Sequence, residues 1–196
     1  MRSSEEAGMT GPIELTDDPV PTIPVDDEFS LTPARWEDRA AHLEHLNVSP
    51  LIHHYLASIP YPYTEADADE WMREILTRPY TGCDEADWTI RLASGEAVGE
   101  CWLLSILRGN RAEVGYWMAP AYWGRGIPGR AVRALSLFAM REFDCRKIVA
   151  TIRDGNGRSR RVLEKAGFAF EATLRSHTVH EGRSYDVHYF GLWRES

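Results

Sequence analysis

One run of nine residues, Tyr122-Trp123-Gly124-Arg125-Gly126-Ile127-Pro128-Gly129-Arg130, has the composition of an anion site. Its glycines let the chain turn tightly so that successive N–H groups point outward, and the helix-favouring sequence that follows adds the positive end of its dipole. Arg125 and Arg130 can supply charge-assisted contacts to the same anion. A glycine turn before a helix is as often purely structural, so the run alone decides nothing. It is not a P-loop, because no Gly-Lys-Ser/Thr follows it. The spacing G-x-G-x-x-G is that of a dinucleotide fingerprint, but that fingerprint opens a βαβ unit and needs an acid about 20 residues on. Here the preceding sequence reads as antiparallel hairpins, and Glu142 falls at a helix end.

The elements that must position this turn are legible as patterns. Phe29 to Leu31 is strand-like and is followed by a helical stretch from about Trp36 to Leu46. Ile59-Pro60-Tyr61-Pro62-Tyr63-Thr64 is an extended or turning connection, since proline disfavours helix at the residue before it. Thr64 then has the character of a helix cap, with Asp67 three residues on and Trp71, Ile75 and Leu76 along one face. Trp88 to Leu92, Val98 to Leu107 and Ala112 to Met118 form three hairpin-linked strands, turning at Ser94-Gly95 and Gly109-Asn110. Beyond the glycine turn a mostly apolar helix runs to about Phe143, and Lys147 to Ile152 reads as a buried strand. Ser159 to Ala166 is a short helix stopped by Gly167. Strands from about Ala169 to Val179 and Ser184 to Trp193 meet at His180-Glu181-Gly182-Arg183.

The 196 residues suffice for one well-buried domain, and 43% hydrophobic content suits a globular chain. No stretch approaches the ~20 apolar residues of a membrane span, and no secretory signal is recognisable, so a cytoplasmic location without membrane partners is expected. The net charge of −8 is concentrated in residues 1–28, where eight acids face only Arg2 among Pro12, Pro19, Pro21 and Pro24. That composition predicts a solvated tail or loosely docked arm ahead of a nearly neutral domain spanning 29–196. An acidic chain without a basic face is a poor nucleic-acid binder. Cys83, Cys101 and Cys145 lack CxxC spacing and read as reduced packing residues. His42 with His45, and His53 with His54, lack the acids and cysteines that would complete a metal site, so no metal is expected.

Four blocks taken in order resemble the GNAT superfamily, and within it the RimJ/RimL-type ribosomal-protein N-acetyltransferases and their small-molecule relatives. They are Val98-Gly99, Ala112-Glu113-Val114-Gly115-Tyr116-Trp117-Met118, Trp123-Gly124-Arg125-Gly126-Ile127, and Asn156 with Ser159 ahead of Leu163-Glu164-Lys165-Ala166-Gly167-Phe168. The resemblance spans roughly Phe29 to Trp193. It implies an α/β (α+β) fold: a mixed, mostly antiparallel central sheet of about seven strands flanked by about four helices. It also implies a splay between the fourth and fifth predicted strands, where acetyl-CoA lies near Met118 and Ala150 with its pyrophosphate on Gly124 to Gly129. The residues so implied in cofactor binding are Trp117, Met118, Gly124, Arg125, Gly126, Ile127, Gly129, Arg130, Asn156 and Ser159. One departure concerns Pro128, where the family pattern carries Gly or Ala. Proline has no N–H to donate but suits the first turn of a helix.

Acyl transfer to an amine needs a neutral nucleophile, whereas free amines are mostly protonated at pH 7. Glu113 resembles the strand carboxylate that several GNAT members use as base. Glu100, directly after Val98-Gly99, is its rival. The Met118 N–H, at the end of its strand, is the expected oxyanion donor, and Ser159 resembles the serine that RimL-like enzymes use as an acid for the departing thiolate. The implied function is transfer of an acetyl group from acetyl-CoA to a primary amine of a protein N-terminus or small molecule, by direct attack in a ternary complex. Two alternatives remain. One is a degenerate acyl-CoA- or peptide-binding module. The other is a transferase for another donor such as succinyl-CoA, which would need a cation near the acyl end that the sequence does not locate. Homodimerisation is common in the family.

Overall fold

The computed structural model describes residues 14–56 and 58–194. Eight strands form one sheet in the order β1-β2-β3-β4-β5-β6-β8-β7. They are β1 (Ile23–Pro24), β2 (Phe29–Thr32), β3 (Ala86–Leu92), β4 (Ala97–Leu107), β5 (Arg111–Met118), β6 (Lys147–Arg153), β7 (Ala169–His180) and β8 (Arg183–Trp193). Five α-helices accompany them: α1 (Asp38–Asn47), α2 (Pro50–Tyr55), α3 (Glu65–Thr77), α4 (Ile127–Glu142) and α5 (Gly157–Ala166). The sheet is mixed and mostly antiparallel, as expected, with one more strand and one more helix than the sequence pattern suggested. The extra strand has two residues and is defined only by its pairing, Ile23 with Leu31 and Pro24 with Ser30. The extra helix, α2, starts at a proline behind Ser49, whose side chain accepts the Leu51 N–H.

The sheet has two covered faces. On one, α4 and α5 bury Val98, Cys101, Leu103, Ala112, Val114, Met118, Ile148, Ala150 and Ile152. On the other, a smaller cluster joins Leu46, Ile52, Tyr63 and Ala68 to Trp117. Strand alternation sets this division: along β5, positions 112, 114, 116 and 118 face α4, and 113, 115 and 117 face away. α1 is pinned by a buried ion pair, Arg91 forking onto both carboxylate oxygens of Asp38 at 2.9 and 2.7 Å. α3 starts at a capping box in which the Thr64 hydroxyl accepts the Asp67 N–H and the Asp67 carboxylate accepts the Thr64 N–H.

The described part of the acidic N-terminal segment packs against the sheet and the α3–β3 connection. The Trp88 indole donates to the Pro21 carbonyl at 2.8 Å, the Tyr80 N–H to the Asp18 carbonyl at 2.8 Å, and Ile23 is buried. Apolar Val20, Ile23 and Val25 spaced among the prolines supply the contacts that charge composition concealed. The tail expected over residues 1–13 lies outside the described residues. Among the described residues no helix is long and apolar enough to cross a membrane.

Candidate active site

The site begins where two parallel strands part. β5 and β6 pair only at Arg111 with Lys147, Ala112 with Ile148 and Glu113 with Val149. β5 then stays with β4 as far as Met118, while β6 stays with β8 as far as Arg153, so a wedge opens between 114–118 and 150–153. Hydrogen bonding across β4 and β5 fixes which amides face the wedge. The Ala119 N–H donates to the Val98 carbonyl at 2.8 Å. In an antiparallel ladder the bonded pairs alternate, so the N–H groups of Met118 and Tyr116 point away from β4 and into the opening. Gly99 permits this geometry, because a Cβ there would collide with the Trp117 carbonyl and reach 3.0 Å from the Met118 Cα.

The glycine turn lies at the wide end. Gly124 and Gly126 adopt left-handed conformations at φ 81° and 77°, and a Cβ on either would meet only open space. Gly126 is the N-cap of α4, whose first internal bond runs from the Arg130 N–H to the Gly126 carbonyl. The amides of Gly126, Ile127 and Gly129 therefore have no acceptor within the helix. Pro128 is buried in the first turn, where a helix leaves its N–H groups unbonded in any case. It removes one donor and keeps the helix start. Arg125 is exposed and stacks on Tyr122 at 4.9 Å. These open amides and the free guanidinium suit a phosphate chain, and the unpaired strand amides suit an extended amide-bearing arm, so the residues present fit acyl-CoA.

Several predicted site residues have other engagements. Arg130 is ion-paired with Asp26 and with Glu28, the latter at 2.6 Å, and stacks on Phe29 at 5.0 Å, so its charge is already neutralised by the docked arm. Trp117 is buried on the opposite face, and its indole donates to Glu100 Oε2 at 2.8 Å. Its side chain supports the sheet and does not line the wedge. Asn156 caps α5: its Oδ1 accepts the Ser159 N–H at 3.1 Å. Ser159 sits in the first turn, and its Oγ accepts the hydroxyl of Tyr116 at 3.0 Å. This bond ties β5 to α5 across the wedge.

Tyr116 is a residue the sequence reading passed over. Burial pushes its phenol up to about 12, offset in part by the bond to Ser159, so it stays protonated near neutrality and acts as the donor. The Ser159 proton is then free to point elsewhere. Arg158 of α5, whose guanidinium lies 4.6 Å from the Trp123 ring, was likewise unremarked and brings a cation from α5 to the glycine turn.

The two candidate bases differ sharply. Glu100 is buried, and three side chains meet it: His42 at 2.8 Å, Trp71 at 3.0 Å and Trp117 at 2.8 Å. Burial alone would push this carboxyl up, but the His42 imidazole and the two indole donors outweigh it and hold it below the usual value. His42 faces only acceptors, the Asp38 carbonyl at 2.8 Å and Glu100, so both ring nitrogens carry protons. Burial opposes that charge, and Glu100 overcomes it and raises the imidazole. A carboxylate with low proton affinity and occupied lone pairs is ill suited to general-base work. Glu113 accepts one bond, from the Thr151 hydroxyl at 2.7 Å, at the closed end of the wedge. Among the described residues no three His, Cys, Asp or Glu side chains form a group that could hold a metal ion.

The model of the acetyltransferase (GNAT) domain matches residues 29–169. The chain belongs to the GNAT acetyltransferase family. Among curated relatives, the Bacillus subtilis protein named "Putative ribosomal N-acetyltransferase YdaF" is 33% identical over 52% of this chain and 56% of its own length. The chain thus spans about half the length of the curated relatives it matches. Among solved structures, this GNAT chain superposes on RimL, a ribosomal L7/L12 alpha-N-protein acetyltransferase in complex with coenzyme A, with a TM-score of 0.78 at 20% identity. That match covers 88% of this chain and 98% of RimL. RimJ of Mycobacterium smegmatis, in complex with a CoA disulfide, gives 0.71 at 22% identity, covering 84% and 81%. At such identities the likeness shows the fold.

Proposed function

We propose that this GNAT chain transfers an acetyl group from acetyl-CoA to a primary amine, on a protein N-terminus or a small molecule, by direct attack in a ternary complex. The observation that carries this reading is the wedge between β5 and β6, lined by the unpaired amides of Tyr116 and Met118 and ending at the open amides of Gly126, Ile127 and Gly129. Acetyl-CoA supplies the activated thioester. The amides of Ile127 and Gly129, with Arg125 and Arg158, hold its phosphates, and the Asn156 Nδ2 group, unused in capping, is free for its pantetheine arm. The Met118 N–H is placed to stabilise negative charge on the carbonyl oxygen, a donor that needs no reorganisation when the reaction occurs. Ser159, fixed by Tyr116, directs its own proton toward the departing sulfur.

Glu113 takes the proton from the amine. It lies five residues before Met118, roughly 16 Å along the strand, so it acts through intervening water and not by contact. Glu100 serves as the anchor that holds α1 and α3 over the acceptor face. The names of the RimL and YdaF relatives favour a protein N-terminus as acceptor. The test is release of free CoA thiol from acetyl-CoA against a panel of short peptides and small amines. Amine-dependent thiol release above hydrolysis supports the reading. Thermal stabilisation by acetyl-CoA with no turnover on any amine would instead indicate a binding module.

A further inference from the structure

Two described arginines are buried, Arg91 and Arg153, both 7% exposed. Arg91 is neutralised by Asp38. Arg153 is not: its Nη1 is sealed from solvent with no acceptor among the described residues. Its neighbour Asp154 is turned to His188 at 3.0 Å. The Tyr185 ring lies 4.9 Å from the guanidinium carbon and offers its face, but it leaves the Nη1 hydrogens unbonded. A buried, unpaired cation destabilises a fold, so its presence calls for a group that it meets only some of the time.

Its position indicates what that group is. Thr151 and Arg153 share a face of β6, and Thr151 donates to Glu113, so Arg153 lies on the face of the sheet away from α4. Val149 pairs with Glu113 where the strands part. Four residues onward on β6 stands Arg153, and four onward on β5 stands Trp117, next to the Met118 amide, so Arg153 borders the open part of the wedge on the β6 side. His54 of α2 packs on Tyr185 from above, and Arg183 adds a second cation beside that ring.

We propose that Arg153 binds a carboxylate brought to the mouth of the wedge, carried either by the amine acceptor or by the acyl group of the donor. The proposal rests on the acyl-transfer reading and adds the substrate class to it. Donor and acceptor are separated by comparing succinyl-CoA with acetyl-CoA, and β-alanine with β-alaninamide, in thermal-shift and thiol-release assays on the full chain. One pair is expected to show a preference of about ten- to a hundredfold for the carboxylate-bearing member, the size of a charge-assisted hydrogen bond. Arg153→Met is expected to abolish that preference while retaining acetyl-CoA stabilisation, with a melting temperature equal to or above that of the native chain. Arg153→Lys should keep part of the preference.

The proposal is overturned if neither pair shows a preference in the native chain. It is equally overturned if Arg153→Met keeps the preference, or if its melting temperature falls as removal of a structural residue would require. Loss of acetyl-CoA stabilisation in the native chain would instead remove the acyl-transfer reading beneath it.

Discussion

Replacing Glu100 by Gln separates an anchoring role from a catalytic one. The substitution keeps the volume but removes the charge opposite His42 and turns an amide donor toward three side chains that are themselves donors. One partner of a buried ion pair is lost while the other stays buried, which costs about 3–5 kcal/mol. For a domain of this size, 1 kcal/mol moves the melting temperature by about 2–4 °C, so a fall of roughly 10 °C is expected in a calorimetric scan. The pH dependence carries a second signature. Glu100 is depressed, so its contribution is complete above the ordinary carboxylate value of 4.5 and is lost as pH falls through its folded value. His42 is raised, so its contribution is complete below the ordinary imidazole value of 6.5 and is lost as pH rises through its folded value. The pair therefore stabilises most between pH 4.5 and 6.5, and Glu100→Gln should erase that maximum. A variant with native melting temperature and no turnover would refute the reasoning and restore Glu100 as the base.

Three further outcomes are expected. Tyr116→Phe should lower kcat about tenfold with little change in the KM for acetyl-CoA, and should add nothing to Ser159→Ala, since the tyrosine acts through the serine; additive losses in the double variant would contradict this. Glu113→Gln should reduce kcat near pH 7 about a hundredfold and recover as pH approaches the amine's own pKa; a deficit constant with pH would mean that Glu113 is not the base. Gly99→Ala should cost about 1–3 kcal/mol through its clash with β5 and weaken acetyl-CoA binding by shifting Met118; unchanged binding by titration would show that the pinch at Gly99 does not position that amide.

Local signals in the sequence located most of the framework. The Thr64/Asp67 cap, the hairpin turns at Gly95 and Gly109 and the glycine stop at Gly167 each depend on residues a few positions apart, and each appears where the pattern placed it. What the sequence withheld depends on distant partners. Glu100 is closed by residues 58, 29 and 17 positions away, and Arg130 is neutralised from more than a hundred positions upstream. The Tyr116–Ser159 bond spans 43 positions and needs the wedge to exist before it can bridge it. Pro128 was legible both as a missing donor and as a first-turn residue, and it lies buried in the first turn of α4.

The central claim is that acyl-CoA occupies the wedge and the glycine turn. Calorimetric titration of the full chain with acetyl-CoA tests it, with Gly126→Trp as a control that places a large side chain in the open space before α4 and whose folding is checked by its melting curve. The account predicts micromolar binding by the native chain and none by the folded control. A folded native chain that releases no heat with acetyl-CoA, or a control that binds it equally well, would contradict the account.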